Sequence, residues 1–399
     1  MGRIVAIDLV RGFVMVVMLL DHARDFLHRE GLTGDPTDPA TTTAALYFTR
    51  WITHFCAPVF VLLAGWSARI AQWHRPVARD LVARGLLLIA IELLVLRPLI
   101  WFSLDFSFLA HLQVIWAIGA AMASLGLLLQ LRVPAAAIGA LGLLLVAGHN
   151  LLPHPGFSFS VFPSLESVAM VLHRKGAIAL FADDGPIAFV QYPLVPWIGV
   201  LWCGHALGGI ERLDETRRRR WLLAIGGSAT LLVLALRLMN GYGDPRPWST
   251  QATPLQTLFS FLRVEKYPPS LAYLLMTLGP ALLVLGALGR GAAGTASGPC
   301  GAPWRGLVAL GRVPLCFYVL QWPAVHLCAW LFQAIAGQPV GWEAVNPLAL
   351  GAELPPGCGF SLPVVWLGWL LCLAALAPVS LAFGRFQQRL PPGHRLRWL

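Results

Sequence analysis

Residues 4–26 read IVAIDLVRGFVMVVMLLDHARDF, an apolar stretch long enough to cross a bilayer that nevertheless carries Asp8, Arg11, Asp21, His22, Arg24 and Asp25. A charged group at the bilayer centre costs on the order of 2.5–3.5 kcal/mol on insertion scales, so such residues face a protein interior or a wet cavity. Asp8, Arg11, Met15, Met18, His22 and Asp25 recur every three or four residues and fall on one helical stripe, opposite a side of Val, Leu and Phe. Arg11 and His22 stand eleven residues apart on that stripe, which separates them by about 16 Å along the axis. The stripe reads as one wall of a reaction site.

The rest of the chain supports a membrane setting. Of 399 residues, 57% are hydrophobic and only 12% charged, with mean hydropathy +0.69. Soluble domains carry about 25% charged residues, so a polytopic membrane protein is indicated. The net charge of +10 comes almost wholly from arginines clustered between apolar stretches, which fits membrane topology better than nucleic-acid binding. No cleavable signal peptide is expected, because no small-residue cleavage site follows the first apolar core. The seven cysteines (56, 203, 300, 316, 328, 358 and 372) are scattered without a CxxC pair, and neither a disulfide framework nor a zinc site is expected.

About ten spans can be marked: 4–26, 51–73, 81–102, 108–131, 134–152, 188–207, 221–239, 267–288, 307–335 and 362–383. The expected fold is all-α, a polytopic integral membrane helical bundle forming one domain over 1–399, without an internal repeat. Loops 27–47, 153–186 and 240–266 are expected on the outer side, the second with a surface amphipathic helix over 167–181. With both termini inside, the inner segments hold Arg3, Arg69, Arg75, Arg79, Arg84, Arg132, Arg212, Arg217 to Arg220, Arg290, Arg305, Arg312, Arg385, Arg389, Arg395 and Arg397. The outer segments hold fewer basic residues and most acids, including Asp35, Asp38, Asp183, Asp184, Asp244, Glu343 and Glu353.

His22 is the leading candidate for a general base, with Asp21 and Asp25 flanking it to orient the ring; the alternative is a polar helix end at the lipid headgroups. Arg11 either pairs with Asp8 or holds an anionic ligand such as a pyrophosphate. Glu92 and Arg97 read as structural polar residues in the membrane, pairing with each other or with the first span. Arg50 and His54 share a helical face at the level of His22 and either bind substrate or pack. Lys266, one of two lysines, sits in Lys266-Tyr267-Pro268-Pro269 at an outer mouth, as does Gln191-Tyr192-Pro193. His111 with Gln113 and His326 with Gln321 are weaker candidates, and no metal is expected from histidines without ligand spacing. Walker A, dinucleotide-binding, HExxH and GxSxG motifs are absent.

The segments RIVAIDLVRGFVMVVMLLDHARDF, RWITHFCAPVFVLLAGWSAR, YPLVPWIGVLWCGHALG, FLRVEKYPPSLAYLLMTLGP and GRVPLCFYVLQWPAVH together resemble the bacterial branch of the heparan-α-glucosaminide N-acetyltransferase-like membrane family. The resemblance implies acetyl transfer from cytoplasmic acetyl-CoA, without a metal, to an amine or hydroxyl of an extracytoplasmic glycan, in a bacterial inner membrane. The family's catalytic histidine lies in the outer loop after the first span, where this chain offers only His28. Arg11-x10-His22 is instead similar to the Arg-x10-His motif of membrane acyltransferases that O-acetylate surface polysaccharides. On that reading Arg11 and the inner Arg75 and Arg79 bind the acyl donor, His22 with Asp21 or Asp25 is catalytic, and Arg50, His54 and Lys266 meet the acceptor. The bilayer, acyl-CoA and a glycan are the expected partners, with a homodimer open. A proton-coupled solute transporter and a catalytically inactive membrane protein are the rival readings.

Overall fold

A computed structural model describes residues 4–31, 34–104, 107–152, 156–182, 184–289, 301–342, 357–391 and 394. Arg3, Arg290, Arg395 and Arg397 of the inner set, Asp183, Glu343 and Glu353 of the outer set, and Cys300 lie outside the described residues. The helices are α1 (Val5–Leu27), α2 (Ala44–Ile52), α3 (Cys56–Gln72), α4 (Ala78–Ile91), α5 (Arg97–Trp101), α6 (Val114–Gln130), α7 (Ala135–Gly148) and α8 (Leu165–His173). They continue with α9 (Leu194–Leu207), α10 (Glu215–Met239), α11 (Pro254–Leu262), α12 (Leu271–Leu288), α13 (Ala302–Leu310), α14 (Pro314–Ile335) and α15 (Leu362–Arg389).

The charged first helix is the hub of the bundle, packed against α3, α13, α14 and α15. Its apolar side chains, such as Met15, Leu19 and Phe26, are fully buried, and so are Asp8, Asp21 and Arg24. The neighbours cover the polar stripe and remove it from lipid, as the cost of charge in hydrocarbon requires. The periphery has the opposite character. Helices α10 and α15 expose Leu231, Leu232, Leu238, Leu367, Leu370 and Leu371, an apolar surface suited to acyl chains. Among the described residues, five helical segments are long and apolar enough to cross a membrane: Ala44–Gln72, Glu215–Met239, Leu271–Leu288, Pro314–Ile335 and Leu362–Arg389. Two further apolar helical segments, Val114–Gln130 and Ala135–Leu151, are shorter.

The chain is mostly helical, as expected, but not wholly so: one small sheet accompanies the helices. Strands β1 (Phe108–Leu112), β2 (Ser158–Phe162), β3 (Gly176–Leu180) and β4 (Ile187–Val190) form one sheet in the order β1-β4-β3-β2. Pairing is parallel for β1/β4 and β2/β3 and antiparallel for β3/β4, with His111 opposite Phe189 and Leu112 opposite Val190. Two strands occupy what reads as the start of spans at 108 and 188, because an apolar run of four or five residues has no period that separates strand from buried helix. The expected amphipathic helix ends at His173, where Arg174 turns to extended geometry and the chain enters β3. Span 81–102 is interrupted by a π-type turn, Glu92–Leu96, and span 307–335 breaks between α13 and α14. Loop 240–266 contains α11, started by Thr253, whose side chain accepts the Gln256 N–H.

Close helix approach depends on glycine. A Cβ on Gly65 of α3 would stand 1.9 Å from the Leu201 carbonyl oxygen, and one on Gly204 of α9 would stand 2.1 Å from that of Leu62. The small residues of α6 and α7 likewise meet α4 and α9 within the chain, with Gly119 against Gly85 and Gly142 against Gly199. Gly65→Val is expected to force α3 from α9, costing about 1–3 kcal/mol or more, and to lower the unfolding midpoint in detergent. Gly209→Ala, whose Cβ meets nothing within 4 Å, should leave that midpoint unchanged.

Candidate active site

One cavity of about 700 Å³ follows the polar stripe of α1. Arg75, Asp80 and Arg84 line one end, Arg11, Met15, Met18 and Ser67 the middle, and Asp21, His22, Asp25, Arg50, His54 and Lys266 the other end. Sequence-distant candidates therefore converge. The α1–α3 packing aims Arg11 at α3, where its Nη2 donates to the Leu63 carbonyl at 2.7 Å and to Ser67 Oγ at 2.8 Å. Asp8 is held by Arg312 Nε at 3.4 Å. Glu92 and Arg97 each have their own partners: the Trp116 N–H donates to Glu92 at 2.9 Å, and Arg97 donates to the carbonyls of Phe108 and Ser103 at 2.7 and 2.6 Å. These bonds tie the π-type turn to α6 and β1.

The end that holds His22 is organised by Asp21. Arg50 Nη1 donates to its Oδ1 at 2.6 Å, Arg24 Nη2 lies at 3.2 Å, and Lys266 Nζ lies 3.9 Å from its Oδ2. Arg24 also pairs with Asp25. The carboxylate that approaches the histidine is Asp25, with Oδ2 3.9 Å from His22 Nδ1, an ion-pair distance. Asp21 instead fixes the cations. The His22 ring lies against Trp322 of α14, centroids 4.0 Å apart, with Tyr318 at 6.4 Å, and its Nδ1 is buried without a hydrogen-bond partner. Three cations against two carboxylates leave this end electropositive while the histidine is neutral.

Arg50 reaches the site because the span breaks after it, in the 3₁₀ turn Thr53–Phe55. His54 in that turn is buried; its carbonyl accepts the Tyr273 hydroxyl at 2.8 Å and its ring meets Tyr273 edge-on. The loop before α12 delivers Lys266 and Tyr267. Both lysines of the chain face the Tyr267 ring, Lys266 at 5.1 Å and Lys175 at 5.5 Å from its centroid. Tyr267 precedes the α12 span; burial alone would push its phenol up, but Lys266 and Arg50 outweigh burial and hold it below the usual tyrosine range. Strand residues His111 and Phe189, with Gln113, Gln191 and Tyr192 just past the strand ends, supply a further wall. Trp101 Nε1 donates to His111 Nδ1 at 3.0 Å, so Nε2–H is the end that donates to Gln191 Oε1 at 2.7 Å.

Two expectations need correction. Arg79 is exposed and does not line the cavity; Leu81, Arg84 and Leu88 form the facing side of α4, and Arg84 is the residue that enters. The helical period from Ala78 onward carried that distinction. His28 caps α1 and is not itself a lining residue, its Nδ1 accepting the Glu30 N–H at 3.2 Å. Trp322 and Tyr318 were not anticipated; they lie one turn apart on α14, but nothing in their sequence indicates that this face meets α1.

The family model described as heparan-alpha-glucosaminide N-acetyltransferase, catalytic, matches residues 3–237, more than half of the chain. The chain belongs to this family. It is accordingly a member of a transmembrane acetyltransferase family and an integral membrane protein. No curated protein matches the chain. The family match takes in α1 to α9 and nearly all of α10, hence His22, Asp21, Asp25, Arg11 and Arg50, whereas Lys266, Tyr318 and Trp322 lie beyond it.

Asp21→Asn and Arg50→Gln each remove one partner of a buried pair, and each is expected to destabilise the fold by about 3–5 kcal/mol. The double variant should lose clearly less than the sum, read as unfolding midpoints in a double-mutant cycle. Additive losses would show that the two side chains do not support each other.

Proposed function

We propose that the chain is a transmembrane acyltransferase that moves an acetyl group from acetyl-CoA, entering from the cytoplasm, to a hydroxyl or amine of an extracytoplasmic glycan. The observation that carries this reading is the single cavity linking a basic end at Arg75 and Arg84, through Arg11, to His22 at the other end. The arginine asymmetry favours a cytoplasmic N-terminus and ten spans, and the resemblance to the family's bacterial branch favours a bacterial inner membrane.

In this mechanism, Arg75, Arg84 and Arg11 hold the phosphates of the donor, for which guanidinium forks are suited. The pantetheine arm lies along Met15 and Met18, and the thioester reaches the outer end. Asp25 favours a proton on His22 Nδ1, which leaves the Nε2 lone pair to act as base. Nε2 takes the acceptor proton as the acceptor oxygen or nitrogen attacks the thioester carbonyl. The excess positive charge of Arg24, Arg50 and Lys266 stabilises the oxyanion that forms. The carbon–sulfur bond then breaks, and the proton on His22 passes to the departing thiolate to give CoA. The aromatic and amide wall of Gln191, Tyr192 and Tyr267 receives the acceptor sugar.

Acetyl-CoA binding and slow hydrolysis by purified protein in detergent test this reading. His22→Ala should lower turnover about 10²–10⁴-fold with donor binding retained. Arg84→Gln should weaken donor binding and raise KM with kcat little changed. Folded wild-type protein that neither binds nor hydrolyses acetyl-CoA would contradict the reading and favour a solute transporter.

A further inference from the structure

The two faces of the sheet have different neighbours. Register places Phe159, Ala177, Phe189 and His111 in one row across β2, β3, β4 and β1. Side chains paired in this way point to one face, and those before and after them on each strand to the other. That other face carries Ala110, Ile178, Ala188 and Val190, and α8 covers it through Met170. The row itself joins the cavity to the outside of the sheet. His111 and Phe189 line the cavity of about 700 Å³, whereas Phe159, on the edge strand β2, is 52% exposed. Phe157, 56% exposed just before β2, stacks on Phe189 with ring centroids 6.1 Å apart. An aromatic contact therefore runs from the cavity lining to the sheet's exposed edge.

We propose that the acceptor is anchored to a lipid: its sugar enters the cavity at the end that holds His22, and its hydrocarbon lies over Phe157 and Phe159. The proposal rests on the acyl-transfer reading above and names the class of acceptor. Strand β2 reads Ser-Phe-Ser-Val-Phe over 158–162, with no charge. An edge strand in water is commonly blunted by charged side chains, whereas aromatic rings gather at a lipid–water boundary. The segment that leads to β2 presents apolar surface as well, with Leu143 and Leu144 on α7 and Leu151 in the turn after it all exposed.

Polar groups adjoin the same ring on the cavity side. Lys175 Nζ lies 5.9 Å from the Phe189 ring centroid, and Gln191 follows Phe189 by two residues; both line the cavity. Phe189 thus separates groups that can bond sugar hydroxyls from an edge that can only cover hydrocarbon. A free sugar would meet the first part alone. A sugar carried on a lipid presents a polar head and an apolar tail to both parts at once.

The test uses the full chain in phosphatidylcholine nanodiscs, with acetyl-CoA as donor and methyl or decyl glucosaminide as acceptor. Wild type should favour the decyl over the methyl acceptor in kcat/KM by about tenfold or more, the effect of burying about two methylenes. Phe157→Ser/Phe159→Ser, matched to wild type in elution and unfolding midpoint, should lose most of that ratio; Phe159→Ser alone serves where the double variant unfolds. A ratio near one in wild type overturns the proposal, and so does a ratio undiminished in the variant, which would assign the gain to partition into the bilayer. A second readout needs no turnover. Decyl glucosaminide with a diazirine at the end of its alkyl chain should label residues 157–162, and unlabelled decyl glucosaminide, but not decanol, should displace it. Such labelling without transfer to either acceptor supports the lipid-anchored ligand and overturns the acyl-transfer reading. Labelling absent from 157–162, or displaced equally by decanol, overturns the proposal.

Discussion

Burying a charged helix in a membrane protein is the constraint on which this structure depends. The first helix carries acids, arginines and a histidine into a setting where none can face hydrocarbon. Arg24 and Asp25 pair within the helix, and the others are met from elsewhere in the chain: α3 receives Arg11, Arg312 receives Asp8, and Arg50 and Lys266 converge on Asp21. Those contacts account for the central position of α1 and for the departures from simple spans around it. The chain breaks at Thr53–Phe55, between α13 and α14, and before α12, and these irregular segments deliver side chains that straight helices would hold at other angles.

The same ion pairs divide the work of the two acids beside His22. Asp21 is saturated with cations and acts as an anchor, whereas Asp25 stands at the ring. Trp322 closes the other side, so the histidine is confined between a carboxylate and an aromatic face, with the cavity before it. This arrangement suits a base whose orientation is set before the acceptor arrives.

Much of the cavity lining was legible in the sequence, because membrane burial makes polar residues conspicuous. The period of the stripe on α1 identified His22, Arg11 and Asp25, and rarity singled out Lys266; all line one cavity. The sheet was not legible, since its strands are too short to show a period and lie beside spans of similar composition. The faces that Arg79 and Arg84 occupy are set by where α4 starts, which composition alone does not mark. Trp322 could not be found because its role comes from tertiary packing between α1 and α14.

The most direct measurement is a structure of the full chain with a non-hydrolysable acetyl-CoA thioether in a lipid nanodisc. The account predicts the phosphates at Arg75, Arg84 and Arg11, with the acyl end against His22 inside the one cavity. An acyl group on the far side of α1 from His22, or a ligand seated wholly outside this cavity, would contradict it.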